Sequence, residues 1–368
     1  MIMIRQNSSL VVAIGTFDGV HRGHQYLIKK SLDYYTSRLN EDTDDDKNSN
    51  PPDLKCVAVT FDRHPASVVR PGLEPLQLTD LSQKINLLMA AGIDDVRIIK
   101  FDKRKSELDA CEFVKTILLA EMHVVAIFVG ENFRFGYRAA GDTQLLQQLS
   151  VELGFHFEAI PLLLDKTLKT TISSTSIRTL ISSGDISEAN RLLGRSHQIR
   201  VFLHETEDTS LLCFCSSTIA FPVAGSYLGS LSVGAASKLD LSTLLTEDDG
   251  GSNTISCLDN NLYSIQEGGN IGAGEFLFNS LTITPLSRKE NSALNSVYKN
   301  SPTLYGNNKL AISEKTEIGA DEIGYQFIRV EGFLQSDIKR LADQKSVLEN
   351  ESQGNMPEYR IVLSKKLS

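Results

Sequence analysis

The chain has 368 residues, which at roughly 150 residues per domain predicts about two domains and enough length to bury a sizeable core. Its 46 acids against 37 bases give a formal net charge of −9, which argues against a general nucleic-acid binder. Any anionic ligand must then be captured by local chemistry rather than by the overall field.

No apolar run approaches the ~20 residues of a membrane span. The N-terminal MIMIRQNSSL lacks the basic head and apolar centre of a signal peptide. Cys56, Cys111, Cys213, Cys215 and Cys257 form no CxxC pair and no Cys/His metal spacing, so they read as buried small hydrophobes of a reducing cytoplasm.

In chain order, Leu10–Gly15 is an apolar run ending in glycine, followed by a turn-rich stretch and a helical pattern over His24–Arg38. Further apolar runs at Val57–Phe61, Val96–Phe101, Val124–Val129 and Phe155–Ile160 predict four more strands. Helices are expected at Leu81–Ala91, capped by Thr79 or Asp80 and stopped by Gly92, at Asp109–Ala120, and at Thr143–Leu153, stopped by Gly154. Nearly all-apolar strands alternating with helices indicate a doubly wound α/β domain with a parallel sheet. Two more helices follow at Thr175–Ser183 and Ile186–Leu193, the second with Asp185 and Glu188 as a capping box and Gly194 as its stop.

From Ile199 onward the pattern changes to short strands, such as Arg200–His204, Leu211–Cys215 and Phe276–Thr284, predicting a small β-rich domain closed by a helix over Gln335–Glu349. Two polar segments, Asn40–Asp53 and Thr246–Ser256, read as solvated loops; the acids of the first are not taken as a metal site.

The chemistry concentrates in Gly15-Thr16-Phe17-Asp18-Gly19-Val20-His21-Arg22-Gly23-His24, between the first strand and the first helix. In an open α/β sheet, ligands bind at the carboxyl ends of strands, and the next helix aims free N–H groups and its positive end there. Gly15, Gly19 and Gly23 let backbone approach a ligand, and His21 and His24, three apart, share a face once the helix has begun. Two imidazoles aimed at one point can hydrogen-bond or neutralise a phosphate chain. Ser173-Ser174-Thr175 opens another helix with hydroxyls and free N–H groups, and Arg178 lies one turn on; these suit phosphate binding, with simple N-capping as the alternative. His64 follows the second strand, either at the ligand-bearing edge or as a turn histidine fixed by Pro65. Phe133 and Phe135 read equally as core, and Asp142 as a cap for the helix at Thr143.

GTFDGVHRGH resembles the nucleotidyltransferase signature of the bacterial FAD synthetases, the riboflavin kinase/FMN adenylyltransferase family. Thr60-Phe61-Asp62-Arg63-His64-Pro65, then Val129-Gly130-Glu131-Asn132-Phe133-Arg134-Phe135-Gly136 with Gly141-Asp142, then Ile172-Ser173-Ser174-Thr175-Ser176-Ile177-Arg178 are similar to the family's later motifs in the same order. The resemblance covers roughly residues 8–198. It implies a Rossmann-like nucleotidyltransferase domain (1–185), a connecting helix and linker (186–198) and a riboflavin-kinase-like β-barrel (199–368). It implies transfer of AMP from ATP to FMN, giving FAD and pyrophosphate, with Mg2+ held mainly by ATP phosphates. His21, His24 and Arg178 are then the catalytic candidates. Gly15, Phe17, Asp18, Gly23, Ser174 and Thr175 fall to ATP and its phosphates, and His64 and Asn132 to the flavin or nucleotide side.

The second half keeps traces of the kinase module in Phe221-Pro222-Val223-Ala224-Gly225-Ser226-Tyr227 and Val330-Glu331-Gly332-Phe333. The module's glycine-rich phosphate loop and Pro-Thr-Ala-Asn motif are missing between Ile199 and Phe221, where Leu211-Leu212-Cys213-Phe214-Cys215 stands instead. The expectation is a degenerate barrel without riboflavin kinase activity, in a cytoplasmic enzyme of small-molecule substrates with no nucleic-acid or membrane partner. Rival readings are another small-molecule nucleotidyltransferase or a non-catalytic flavin or nucleotide sensor.

Overall fold

The computed structural model describes residues 8–41, 53–207, 210–216, 218–234, 254–256, 275–285, 325–331 and 358–367. The chain divides into two compact units, one of Met1–Pro75, Leu81–Ser173 and Asp248–Tyr263, the other of Leu76–Asp80, Ser174–Glu247 and Ser264–Ser368.

In the first unit, β1 (Ser9–Ile14), β2 (Leu54–Phe61), β3 (Asp95–Ile99), β4 (Val124–Gly130) and β5 (His156–Ile160) are parallel, in the spatial order β3-β2-β1-β4-β5. This is the Rossmann-like doubly wound sheet that the alternating pattern predicts. The order reverses at β1, so the switch point lies at the β1 carboxyl end. Side chains alternate across the sheet. Leu10, Val12 and Ile14 of β1, with Val57, Val59, Ile127 and Val129, pack with Val114, Ile117, Leu118, Leu146 and Leu149 from the intervening helices. On the opposite face, Phe128 meets Tyr34 of α1 (Arg22–Glu41), with ring centroids 5.4 Å apart.

Between these strands lie α2 (Pro65–Val69), α3 (Leu81–Ala90), α4 (Lys103–Ser106), α5 (Ala110–Glu112) and α6 (Thr143–Leu153), and a small hairpin of β6 (Leu164–Asp165) and β7 (Thr170–Thr171) follows. Gly154 ends α6 with φ +78°, its N–H on the Ser150 carbonyl, as its glycine signal implied.

Several sequence expectations change here. The helix expected over Asp109–Ala120 is α5, N-capped by Asp109, running into π-helical turns over Phe113–Glu121. Met122 N donates to Ile117 O at 3.1 Å, five residues back, and the widened turns still bury Val114, Ile117 and Leu118. Thr254–Ser256 is a strand, β11, rather than a solvated loop: it pairs antiparallel with the sheet-edge strand β3, Thr254 opposite Ile99. The rest of that segment and residues 42–52 lie outside the described residues. Cys56 is buried as expected, and burial pushes its thiol up to about 12, whereas Cys111 is only half-buried. Cys213 and Cys215 lie on a barrel strand; Cys257 is outside the described residues.

The second unit begins with α7 (Ser174–Ser183) and α8 (Ile186–Leu193). Six antiparallel strands then close a barrel: β8 (His197–Glu207), β9 (Ser210–Ser216), β10 (Gly225–Gly234), β12 (Glu275–Pro285), β13 (Tyr325–Glu331) and β14 (Glu358–Lys366), ordered β10-β12-β13-β9-β8-β14. The β-rich reading of this half is thereby met, while the helix expected at Gln335–Glu349 lies outside the described residues. The Asp185–Glu188 capping box is not formed. Asp185 makes no side-chain cap bond, its N–H donates to Leu180 O at 2.8 Å, and Glu188 is engaged instead by Arg191, whose Nε donates to it at 2.9 Å.

Two groups near the α8 end make the second unit testable. Asn190 Nδ2 donates to Leu363 O at 2.8 Å, and its Oδ1 accepts from His197 N at 2.7 Å, joining α8 to β14 and to the start of β8. Asn190→Ala strands a main-chain donor and acceptor, and it is expected to cost about 1–3 kcal/mol in urea unfolding.

His197 is buried. Burial first, and the Arg195 guanidinium second, push its imidazole from 6.5 down to about 4, opposed by a hydrogen bond with the Ala220 backbone. The unfolded chain therefore binds a proton that the folded chain refuses, so stability is full above pH 6.5 and falls as pH drops towards 4. Unfolding titrations are expected to show about 3 kcal/mol lost across this window, and His197→Gln to flatten that part of the profile.

Candidate active site

β1 ends at Ile14, and Gly15 N donates to Val59 O of β2 at 3.1 Å before the chain turns through Thr16–Val20 into α1. Phe17 (φ +49°) and Val20 (φ +38°) occupy the left-handed region, as does Gly19 (φ +81°). For a β-branched valine this is a strained conformation, costing on the order of 1–3 kcal/mol. The surroundings hold it. Phe17 and Val20 are fully buried, Val20 N donates to Phe17 O at 3.1 Å, and Gln25 Nε2 donates to Val20 O at 2.9 Å. Thr60 Oγ1 of β2 donates to Thr16 O at 3.1 Å. The Phe17 ring lies against Gly15, where a Cβ would stand 3.4 Å from it.

The strained turn delivers the two histidines. α1 starts at Arg22, with Gln25 N on His21 O at 2.9 Å, so His21 and His24 straddle its first turn and share a face as their spacing requires. Their rings stack with centroids 3.7 Å apart and planes 18° apart. Phe17 meets His24 edge-on at 5.2 Å. His21 is only 5% exposed, and its Nδ1 faces His24 N at 3.4 Å. Gly23 fits closely in this stack: a Cβ there would stand 3.2 Å from the His21 ring and 3.3 Å from Ile172 O, so the neighbours would have to give slightly. Asp18 is also buried in the turn. Gly15, Phe17, Asp18, His21, Gly23 and His24 thus form one unit at the switch point. Phe17 acts there as a buried wedge beneath His24. The arrangement offers imidazoles and helix N–H groups to an anion.

The neighbouring strands end at the same edge. After β2, His64 is the N-cap of α2: its Nδ1 accepts from Ala66 N at 3.1 Å, and Pro65 occupies the first helical position. An accepting Nδ1 places the neutral ring's proton on Nε2. After β4, exposed Asn132 sits in a turn closed by Phe133 N on Gly130 O at 2.9 Å. Glu131 ties that turn to the end of β5 and the residues after it, its N–H donating to Ile160 O at 2.9 Å and its Oε1 accepting from Leu162 N at 3.0 Å. Phe133 and Phe135 stack on one another and pack against the core, so they carry the structural role weighed for them. Asp142 caps α6 by accepting from Leu145 N at 3.0 Å; that bond, with the Arg134 guanidinium at 2.9 Å, holds its carboxyl below the usual range.

Ser174, Thr175 and Arg178 belong to the second unit, in the first turn and a half of α7. Arg178 Nη2 donates to Thr175 Oγ1 at 3.4 Å, so the two share a face, while Ile177 and Ile181 are buried. Sequence reading missed Lys84. It lies on α3 in line with the apolar stripe and is 9% exposed, with Nζ 3.5 Å from Thr60 Oγ1 and 3.4 Å from Phe61 O. Among the described residues, no group of three His, Cys, Asp or Glu is placed to hold a metal ion, and no helix is long and apolar enough to cross a membrane.

Residues 3–176 match the family model for FAD synthetase. The bifunctional riboflavin kinase/FMN adenylyltransferase of Buchnera aphidicola subsp. Schizaphis graminum is 33% identical over 193 residues, which is 52% of this chain and 57% of that protein. The protein of the same name from Escherichia coli K12 is 31% identical over 216 residues, 58% of this chain and 61% of that one. The chain thus spans about three-fifths of the length of these curated relatives. Among solved structures, one described as a macrolide-efflux protein from Streptococcus pneumoniae superposes with a TM-score of 0.61 at 16% identity, covering 98% of this chain and 87% of that one; the likeness is one of fold. Over residues 3–176, this chain is therefore similar to the FAD synthetase family.

Proposed function

We propose that the protein is a cytoplasmic ATP:FMN adenylyltransferase, joining the AMP of ATP to FMN to give FAD and pyrophosphate. The observation that carries this reading is the stacked His21–His24 pair on the first turn of α1, at the carboxyl end of β1. In the reaction a phosphate oxygen of FMN attacks the α-phosphorus of ATP in line. The new P–O bond forms as the bond to the β-phosphate oxygen breaks, and the electron pair leaves with pyrophosphate. The nucleophile comes from FMN, so the protein contributes position and charge stabilisation. His21 and His24 contact the phosphates around the reacting phosphorus, with the N–H groups of the α1 first turn beside them. Ser174, Thr175 and Arg178 hold the β- and γ-phosphates, Gly15, Phe17, Asp18 and Gly23 shape the nucleotide site, and His64 and Asn132 lie on the flavin or nucleotide side.

Magnesium would be held mainly by the phosphates of the bound nucleotide. The ion prefers phosphate oxygens and water to an all-protein cage, which agrees with a site built of imidazoles, hydroxyls and main-chain N–H groups. When bound it neutralises phosphate charge. Residues 1–185 are proposed as the adenylyltransferase domain and 199–368 as a barrel without riboflavin kinase activity, because β9 carries Leu211-Leu212-Cys213-Phe214-Cys215 with no Thr or Asn for phosphate and metal. Small molecules, not nucleic acid or membrane, are its proposed partners. The test supplies ATP and magnesium with either FMN or riboflavin. FAD and pyrophosphate from FMN, with no FMN from riboflavin, is the expected result. Tight binding of ATP or FMN without pyrophosphate release would replace this reading with a sensor.

A further inference from the structure

A lysine is seldom buried in a soluble protein, because its ammonium loses hydration that only acceptors or an anion can replace. Lys84 lies in the first turn of α3, 9% exposed, on the helix face that also buries Ile85 and Leu88. Its Nζ reaches the carboxyl end of β2, 3.5 Å from Thr60 Oγ1 and 3.4 Å from Phe61 O. Thr60 is itself fully buried, and its hydroxyl donates to Thr16 O at 3.1 Å. The polarity of this chain is fixed at one end. An ammonium only donates, so the Thr60 oxygen accepts from it and the Thr60 hydrogen is left to point at Thr16. Thr16 opens the strained turn whose Phe17 and Val20 set the two histidines.

Resting on the adenylyltransferase reading, we propose that Lys84 is a positioning residue for the nucleotide: its ammonium orients the Thr60 hydroxyl on the Thr16 carbonyl and sets a fixed positive charge beneath the loop that receives the triphosphate. The two contacts in series keep Nζ within about 7 Å of Thr16 O, close enough for a charge in a poorly solvated interior to act on an anion at the loop. In a chain carrying −9 overall, such a local cation offsets the field that opposes a polyphosphate.

The test uses the full-length protein, with ATP affinity by calorimetry and FAD formation by product assay. Lys84→Met keeps the stem and removes the charge. It is expected to weaken ATP binding about tenfold and lower kcat/KM for ATP at least as much, with KM for FMN within about twofold. Lys84→Arg is expected to recover most of the loss. Thr60→Val should lose activity in the same direction while Thr60→Ser stays near wild type. Lys84→Met/Thr60→Val should cost no more than the worse single variant, since both break one chain. If the methionine variant does not fold, Lys84→Gln supplies the neutral side chain, and the Thr60 pair reads the relay independently. A folded neutral variant with ATP affinity within about twofold of wild type, or Lys84 and Thr60 effects that multiply, would overturn the proposal. Wild-type protein that binds ATP but makes no FAD defeats the adenylyltransferase reading alone, and the ATP affinities still decide Lys84. Wild-type protein that does not bind ATP overturns both.

Discussion

His24→Ala is expected to lower FAD formation by about 10²-fold or more, the scale on which enzymes lose rate when one transition-state donor is removed. The ring stands in the first turn of α1, stacked on His21 and braced edge-on by Phe17, so it has one orientation before any substrate arrives. Negative charge grows on the α-phosphoryl oxygens only as the reaction proceeds. A donor fixed for that charge therefore affects kcat more than ATP affinity. His24 is also a better choice than His21. His21 is the more deeply buried ring and its carbonyl accepts the first helical hydrogen bond of α1, so its removal mixes chemistry with folding. Initial rates at saturating ATP, with a thermal melt to establish folding, provide the measurement. A folded variant with near-wild-type turnover refutes the assignment.

Gly136→Ala is expected to destabilise the first unit by more than about 3 kcal/mol, through two independent causes. Gly136 sits at φ +72°, ψ 179°, a region essentially restricted to glycine. A Cβ there would also stand 2.6 Å from the Cα of Ala110, which is backbone and cannot step aside. Gly154→Ala separates the two causes. That residue has φ +78° and nothing within 4 Å of its missing Cβ, so only the conformational cost of about 1 kcal/mol applies. Urea unfolding of the pair reads the difference directly, and equal losses would remove the steric account.

The doubly wound sheet was legible because five short apolar strands separated by helices have few other ways to bury both faces. The histidine junction was legible for a similar reason: glycines at Gly15, Gly19 and Gly23 around an HxGH, directly after the first strand, leave little choice of geometry. Elsewhere, residue type named several possible roles and only packing chose among them. His64 could cap or bind, and the structure places its Nδ1 on a helix N–H. Asp185 and Glu188 had the spacing of a capping box, but a nearby arginine drew the glutamate away. The π-helical turns were illegible, since an apolar pattern nine residues long does not distinguish a five-residue hydrogen-bond step from a four-residue one. Lys84 was passed over because a helical lysine is ordinarily solvated; its position four residues before Leu88 was the available sign.

The short strand β11 bears on how the protein is made. Ile99 of β3 pairs with Thr254, so the sheet of the first unit lacks its last strand until the ribosome has moved roughly 150 residues past β3. At about 5–20 residues per second, that interval is on the order of ten to thirty seconds. For that time the nascent chain carries an uncovered sheet margin, the kind of surface on which neighbouring polysomal chains adhere. Chaperone demand during synthesis should therefore be greatest between the emergence of β3 and that of β11.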